Sequence, residues 1–250
     1  MLQVVCIKQV ADTETRVKVG ADGKTLDPAG VTWVLNPYDE YAVEAALRIR
    51  EQQGGGEVVA ISLGGAGVQT TLRGALALGA DRGIHLKTDT LAPDTLAVAR
   101  ALAAEIGGLG ADLVWFGKQA VDDDQAQVGP MVAELLELPC ATVIAKIELD
   151  GTRATVEREF EGGREIVELT LPAVLTADKG LNEPRYASLK GIMAAKKKPI
   201  DEKPAALGEP RLELVALELP APRKAGRVVG QGVEALPELV RLLREEARAL

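Results

Sequence analysis

Short runs of apolar, often β-branched residues alternate with segments of helical period over the first 140 residues. LQVVCIKQV (2–10), EVVAISLGG (57–65), GIHLKT (83–88) and DLVWFG (112–117) predict strands. Their nearly continuous apolar character is that of parallel strands buried on both faces. Between them, YDEYAVEAALRIREQQ (38–53), VQTTLRGALALGA (68–80) and PDTLAVARALAAEI (93–106) predict helices. In the first of these, Ala42, Ala46 and Ile49 share one face, with Val43 and Leu47 beside them. Asn36-Pro37 supplies a helix start and Gly54-Gly55-Gly56 a stop. Such alternation predicts an α/β fold, a parallel twisted sheet flanked by helices through right-handed crossovers.

The pattern then changes. CATVIAKIEL (140–149), RATVEREFE (153–161) and REIVELTLPAVLTA (164–177) are separated by Asp150-Gly151 and Gly162-Gly163, both hairpin-turn dipeptides. They predict an antiparallel extension of the sheet. From Asp178 the core signal fades, and Pro199, Pro204, Pro210, Pro220 and Pro222 break any long helix between 199 and 222. A stripe of Leu236, Val240, Leu243 and Ala247 predicts a closing amphipathic helix. With so long an extended segment before it, that helix is expected to pack on a distant surface.

Composition narrows the function. With 250 residues, 47% hydrophobic and 26% charged, the chain is an ordinary globular protein with ample core. A net charge of −8 and 3% aromatics argue against nucleic-acid binding, which needs basic patches and stacking platforms. Cys6 and Cys140 have no metal-ligand spacing, and the simplest reading is a reduced, cytoplasmic chain. The apolar start is cut short by Lys8, which is not a signal-peptide pattern, and no run approaches 18 apolar residues, so no membrane insertion is expected. His85 is the single histidine and receives no function.

The candidate chemistry centres on GKQAVDDDQAQVGP (117–130), which follows the fourth predicted strand and opens a helix. Consecutive acids suit a calcium loop poorly, so no metal site is expected. One reading is a solvated turn in which Asp124 caps the helix that follows. Another is a ligand loop, because the carboxyl edge of an α/β sheet and a helix N-terminus together favour anions. VVCIKQV, LNPYDE and ISLGGAG end at the same edge, and G-G-x-G is only a weak phosphate-loop signal. No Ser-His-Asp or Cys-His set is available, which points to a binder without catalytic residues. In LNEPRYASLKGIMAAKKK, Leu189, Ile192 and Met193 lie at i, i+3 and i+4 on one helical face. That face either packs on the core or projects as a groove-docking device.

Taken in order, these segments resemble the β subunit of electron-transfer flavoprotein. The resemblance runs through VCIKQVADTETRVKV, NPYDEYAVEAALRIRE, LRGALALGADRGIHL, GKQAVDDDQAQVG, VEREFEGGREIVELTLPAVLTA and LNEPRYASLKGIMAAKKK, about residues 2 to 200. It implies a doubly wound, adenine-nucleotide-binding core over 1–200, with a recognition loop at about 178–200. An extended Pro-rich arm and helix over 201–250 would pack on a partner subunit. It further implies structural AMP on this chain, FAD held mainly by an α subunit, and electrons passed from acyl-CoA and related flavin dehydrogenases to a membrane quinone oxidoreductase.

The AMP contacts implied are Cys6, Asn36, Pro37, Tyr38, Asp39, Leu63, Gly117, Lys118, Gln119, Ala120, Val121, Asp122, Asp123, Asp124, Gln125, Ala126, Gln127 and Val128. Leu189, with Ile192 and Met193, is the implied dehydrogenase anchor, and Glu159 the implied partner for an arginine of the flavin domain. Relatives that bifurcate electrons carry a second FAD in place of AMP and read DGD followed by threonine. Here Asp123 and Gln125 stand at those positions and would crowd a second flavin, which favours AMP. A stand-alone adenine-nucleotide-binding regulator of related α/β fold is the reading from a different class.

Overall fold

A computed structural model describes residues 1–89, 94–222 and 225–250. The chain divides into two compact units, Met1–Leu217 and Glu218–Leu250. In the first unit the described strands are β1 (Leu2–Cys6), β2 (Gln9–Ala11), β3 (Trp33–Leu35), β4 (Glu57–Gly64), β5 (Arg82–Lys87) and β6 (Leu113–Gly117). β7 (Cys140–Asp150), β8 (Arg153–Phe160), β9 (Gly163–Thr170), β10 (Ala173–Ala177) and β11 (Ile200–Pro204) follow. Its helices are α1 (Pro37–Gln52), α2 (Val68–Leu78), α3 (Thr95–Gly107), α4 (Val128–Leu135) and α5 (Leu189–Ala195). The expected start of the third helix at Pro93 lies outside the described residues.

Nine strands form one sheet in the order β11-β5-β4-β1-β6-β10-β7-β8-β9. β11 through β7 run parallel, and β8 and β9 add the antiparallel extension at one end. One core layer joins the sheet to α1 and α2 through Val5, Ala42, Leu47, Leu72, Leu76 and Trp115. The opposite layer joins it to α3 and α4 through Val4, Ile61, Ala99, Leu102, Ile106 and Val132. Helices on both faces make the parallel portion doubly wound, as the apolar strand runs predicted.

Three elements differ from expectation for local physical reasons. The run 164–177 is two strands, because Pro172 in the middle cannot donate to a ladder. β9 lies at the sheet edge, whereas β10 returns to the centre and pairs in parallel with β6 and β7. The run 2–10 is also divided: β1 ends at Cys6, and β2 pairs with β3 in a separate two-stranded sheet. Third, the polar IDEKP of β11 completes the far edge beside β5, where one side of the backbone ladder needs no second neighbour. Two large buried polar side chains in the core are paired: Trp115 Nε1 donates to Gln3 Oε1 (3.1 Å), and Gln3 Nε2 to the Ala46 carbonyl (2.9 Å).

The second unit contains a short 3₁₀ turn, Val233–Ala235, running into α6 (Leu236–Glu245). Leu236, Leu239 and Val240 of α6 are exposed. Arg241 pairs with Glu238 and Glu245 on the polar side, at 2.7 Å each. Among the described residues no helix is long and apolar enough to cross a membrane.

Candidate functional site

β1 lies between β4 and β6, and the faces switch there: the helices that lead to β4 and β5 pack in one core layer and the helix that leads to β6 in the other. The crevice beyond the carboxyl ends of such strands is where open α/β sheets bind ligands. Here three chain segments meet, and two buried side chains of the α1 start tie them together. Asp39 accepts from the Lys8 N–H through Oδ2 (2.7 Å) and from the Gly117 N–H through Oδ1 (3.0 Å). Asn36 donates from Nδ2 to the Gln119 carbonyl (2.9 Å) and accepts the Val121 N–H at Oδ1 (3.2 Å). Ser62 at the end of β4 donates to the Ile7 carbonyl (2.6 Å). Burial pushes the Asp39 carboxyl up to about 7, against the pull of the Lys8 N–H, Asn36 and the Gly117 N–H. Burial, reinforced by the Asp39 charge, likewise pushes the Cys6 thiol well above its ordinary value.

The three consecutive acids each have a partner. Lys8 Nζ lies 2.8 Å from Asp122 Oδ1 and 2.9 Å from Asp123 Oδ2. Burial opposes the Lys8 charge, but these two carboxylates outweigh it and raise the pKa of the ammonium. Asp123 Oδ1 also accepts the Gln125 N–H (3.2 Å). Asp124 accepts from Gln119 Nε2 (2.6 Å), which corrects the expectation that it caps α4. The residue at the cap of α4 is Gln127, whose side chain makes no capping hydrogen bond. Asp124 and Ala126 have left-handed backbones (φ 51° and 53°), so the loop turns back before the helix starts. Lys118 sits 4.9 Å above the Tyr38 ring and pairs with Asp178 at 2.9 Å. Among the described residues no group of three or more His, Cys, Asp or Glu is placed to hold a metal ion.

The other named residues lie elsewhere. Leu189 and Met193 are 84% and 63% exposed on α5, and Ile192 is also exposed, so the shared face projects from the core. Ser188 caps α5 by accepting the Gly191 N–H (3.0 Å). Glu159 is on β8, 3.5 Å from Arg164 of β9. Both line an open, polar cleft of about 460 Å³, together with Lys146, Glu157 and Lys179.

Residues 24–207 match the family described as the electron transfer flavoprotein domain. Over 98% of its length the chain is 43% identical to the electron transfer flavoprotein subunit beta of Homo sapiens, of which it covers 97%. The chain belongs to the electron transfer flavoprotein β-subunit family. Its similarity to the Bradyrhizobium diazoefficiens protein of the same name is 45% over the whole of both chains. With the Bacillus subtilis protein it is 40%, over 98% of each.

Within this electron transfer flavoprotein chain, two residues of the edge carry more than their sequence context indicates. Lys8 was only the charge that interrupts an apolar run, yet it is the cation for two of the three acids. A lysine two residues past a buried parallel strand was the available signal. Gln9, which carries no motif, donates from Nε2 to the Gly67 carbonyl (3.0 Å) and Thr71 Oγ1 (2.9 Å), fastening the Gly-rich turn after β4.

Proposed function

We propose that this chain is the β subunit of a heterodimeric electron-transfer flavoprotein, with structural AMP at the carboxyl edge of β1 and β6. An FAD held mainly by the α subunit, when bound, supplies the redox chemistry. This chain binds, orients and encloses, and contributes no catalytic residue of its own. The observation that carries the reading is the fastening of 117–121 to Lys8 and the α1 start by Asn36 and Asp39.

The residues present fit an adenine nucleotide. Left-handed Ala126 followed by right-handed Gln127 is the backbone alternation of an anion nest. The first N–H groups of α4 have no intrahelical partner and extend the same donor set. Lys8 and Gln119 hold the acids, which lessens their repulsion of a phosphate. Asp123 is engaged by both Lys8 and the Gln125 N–H, and its side chain takes up space that a second flavin would need. This supports AMP over a bifurcating arrangement.

In the same reading, acyl-CoA and related flavin dehydrogenases of fatty acid oxidation dock at Leu189, Ile192 and Met193, and a membrane quinone oxidoreductase receives the electrons. Glu159, already beside Arg164, is available to an arginine of the flavin domain. The α6 helix of the second unit offers its exposed Leu236, Leu239 and Val240 to the α subunit. The test is to co-express both subunits, denature the complex and count the released small molecules. One FAD and one AMP per heterodimer are expected. Two FAD and reaction with NADH would replace AMP by a second flavin, and a colourless homodimer would overturn the carrier reading.

A further inference from the structure

The α5 helix has only seven residues, too few to persist without support. The support comes from charges on both sides of it. Before α5, the Arg185 guanidinium reaches two carboxylates of α1 at once. Its Nε donates to Glu44 Oε2 (2.7 Å) and its Nη2 to Glu44 Oε1 (3.2 Å). Nη1 and Nη2 also donate to Glu51 Oε1 and Oε2, at 2.6 and 3.0 Å. Glu44 is 3% exposed, and Arg48 Nε binds its Oε1 from the other side (2.6 Å). Arg48 reaches the Glu183 carbonyl (3.0 Å), and Asn182 Nδ2 the Tyr41 carbonyl (2.9 Å).

After α5, two cations exchange places. Arg73 of α2 donates to the carbonyls of Ala195 and Lys198, at 2.6 and 2.5 Å. Lys198 Nζ donates to the carbonyls of Leu76 and Ala80 at the end of α2, at 3.0 and 2.5 Å. The end of α5 is thus capped by a cation from within α2 and the end of α2 by one from beyond α5, which satisfies carbonyls that have no intrahelical donor. Gly191 lets α5 approach α2 so closely that a Cβ there would fall on the Ala77 carbonyl oxygen.

We infer that Arg185 is a positioning residue for docking: by joining Glu44 and Glu51 it holds 181–188 on α1, so that α5 presents Leu189, Ile192 and Met193 as a preformed surface. The inference rests on the docking reading given above. A planar fork that binds two carboxylates bidentately gives direction as well as charge, which a lysine cannot match. A segment already ordered spares the cost of ordering it at the moment of association. Releasing it therefore weakens recognition and leaves the electron-transfer step itself unchanged.

The test uses the complete α–β complex, with an acyl-CoA dehydrogenase and excess acyl-CoA as the probe. Arg185→Ala should raise the KM for the flavoprotein roughly tenfold with kcat and FAD content unchanged. Arg185→Lys should give an intermediate KM, and amide exchange over 181–195 should rise in the same order. Glu51→Gln, which leaves the buried Glu44 paired, is the milder variant if Arg185→Ala assembles poorly, and it should raise KM severalfold. Unchanged KM in Arg185→Ala, with KM raised in Leu189→Ala, would overturn the positioning role and leave docking in place. Unchanged KM in both would show that the docking surface itself is elsewhere. Unchanged exchange would overturn the clamp directly.

Discussion

At the scale of single residues, Asp39 has the most to lose from a change of charge. It is 5% exposed, and both of its oxygens are occupied by backbone N–H groups of other segments. Its folded pKa of about 7 lies above the ordinary value for an aspartate, near 3.9. The folded chain therefore keeps this proton to higher pH than the unfolded chain. The contribution is fully present below about pH 4 and is lost as pH rises through about 7, at about 1.4 kcal/mol per unit across the window. Urea unfolding between pH 4.5 and 8 should show that decline. Asp39→Asn should flatten it, while lowering stability by about 1–3 kcal/mol because one N–H loses its acceptor. An undiminished slope in the variant would show that another group titrates. The family resemblance implies Asn36 and Asp39 as nucleotide contacts. That they tie the chain to itself depends on partners 83 and 78 residues away. No local pattern records such a distance.

At the scale of elements, what could be read depended on length and burial. The buried parallel strands announce themselves by nearly continuous apolar runs, and their helices by a period repeated over several turns. β2 and β3 have three residues each and offer no period to detect. β11 is polar because it is an edge, and its pairing with β5 rests on backbone groups. Pro172 did carry the signal that divides β9 from β10, but Leu171 before it and Ala173-Val174-Leu175 after it concealed the break. The loop after β6 depends on close approach as well as hydrogen bonds. A Cβ on Gly117 would lie 2.7 Å from the Tyr38 carbonyl carbon and would also meet Asp39 Oδ1. Gly117→Ala should therefore push the start of α1 away from β6 and cost about 1–3 kcal/mol. Thermal unfolding and, in the proposed complex, retention of AMP measure this together, and both should fall. A variant that keeps its thermal midpoint would show that the loop has room to adjust.

At the scale of the whole chain, core and arm make separate contributions. The buried hydrophobic core lies within Met1–Leu217, and no described residue of 218–250 is buried. Ending the chain after Leu217 should leave the thermal midpoint within a few degrees of the full-length value. In the proposed heterodimer it should abolish stable association with the α subunit, measured by co-purification. A truncated chain that still assembles would place the interface on the core. The topology of the sheet has one more consequence, for synthesis. β10 fills the gap between β6 and β7, but it is made after both of them. As the chain is translated, the edge of β6 waits while roughly sixty residues, Gly117 to Ala177, are added. At ordinary elongation rates this takes about 3–12 s. During that interval an apolar strand edge is open to pairing with other nascent chains. Slow codons between β6 and β10 would lengthen the exposure, and a chaperone that covers the edge until Ala177 has emerged would raise the yield of folded protein.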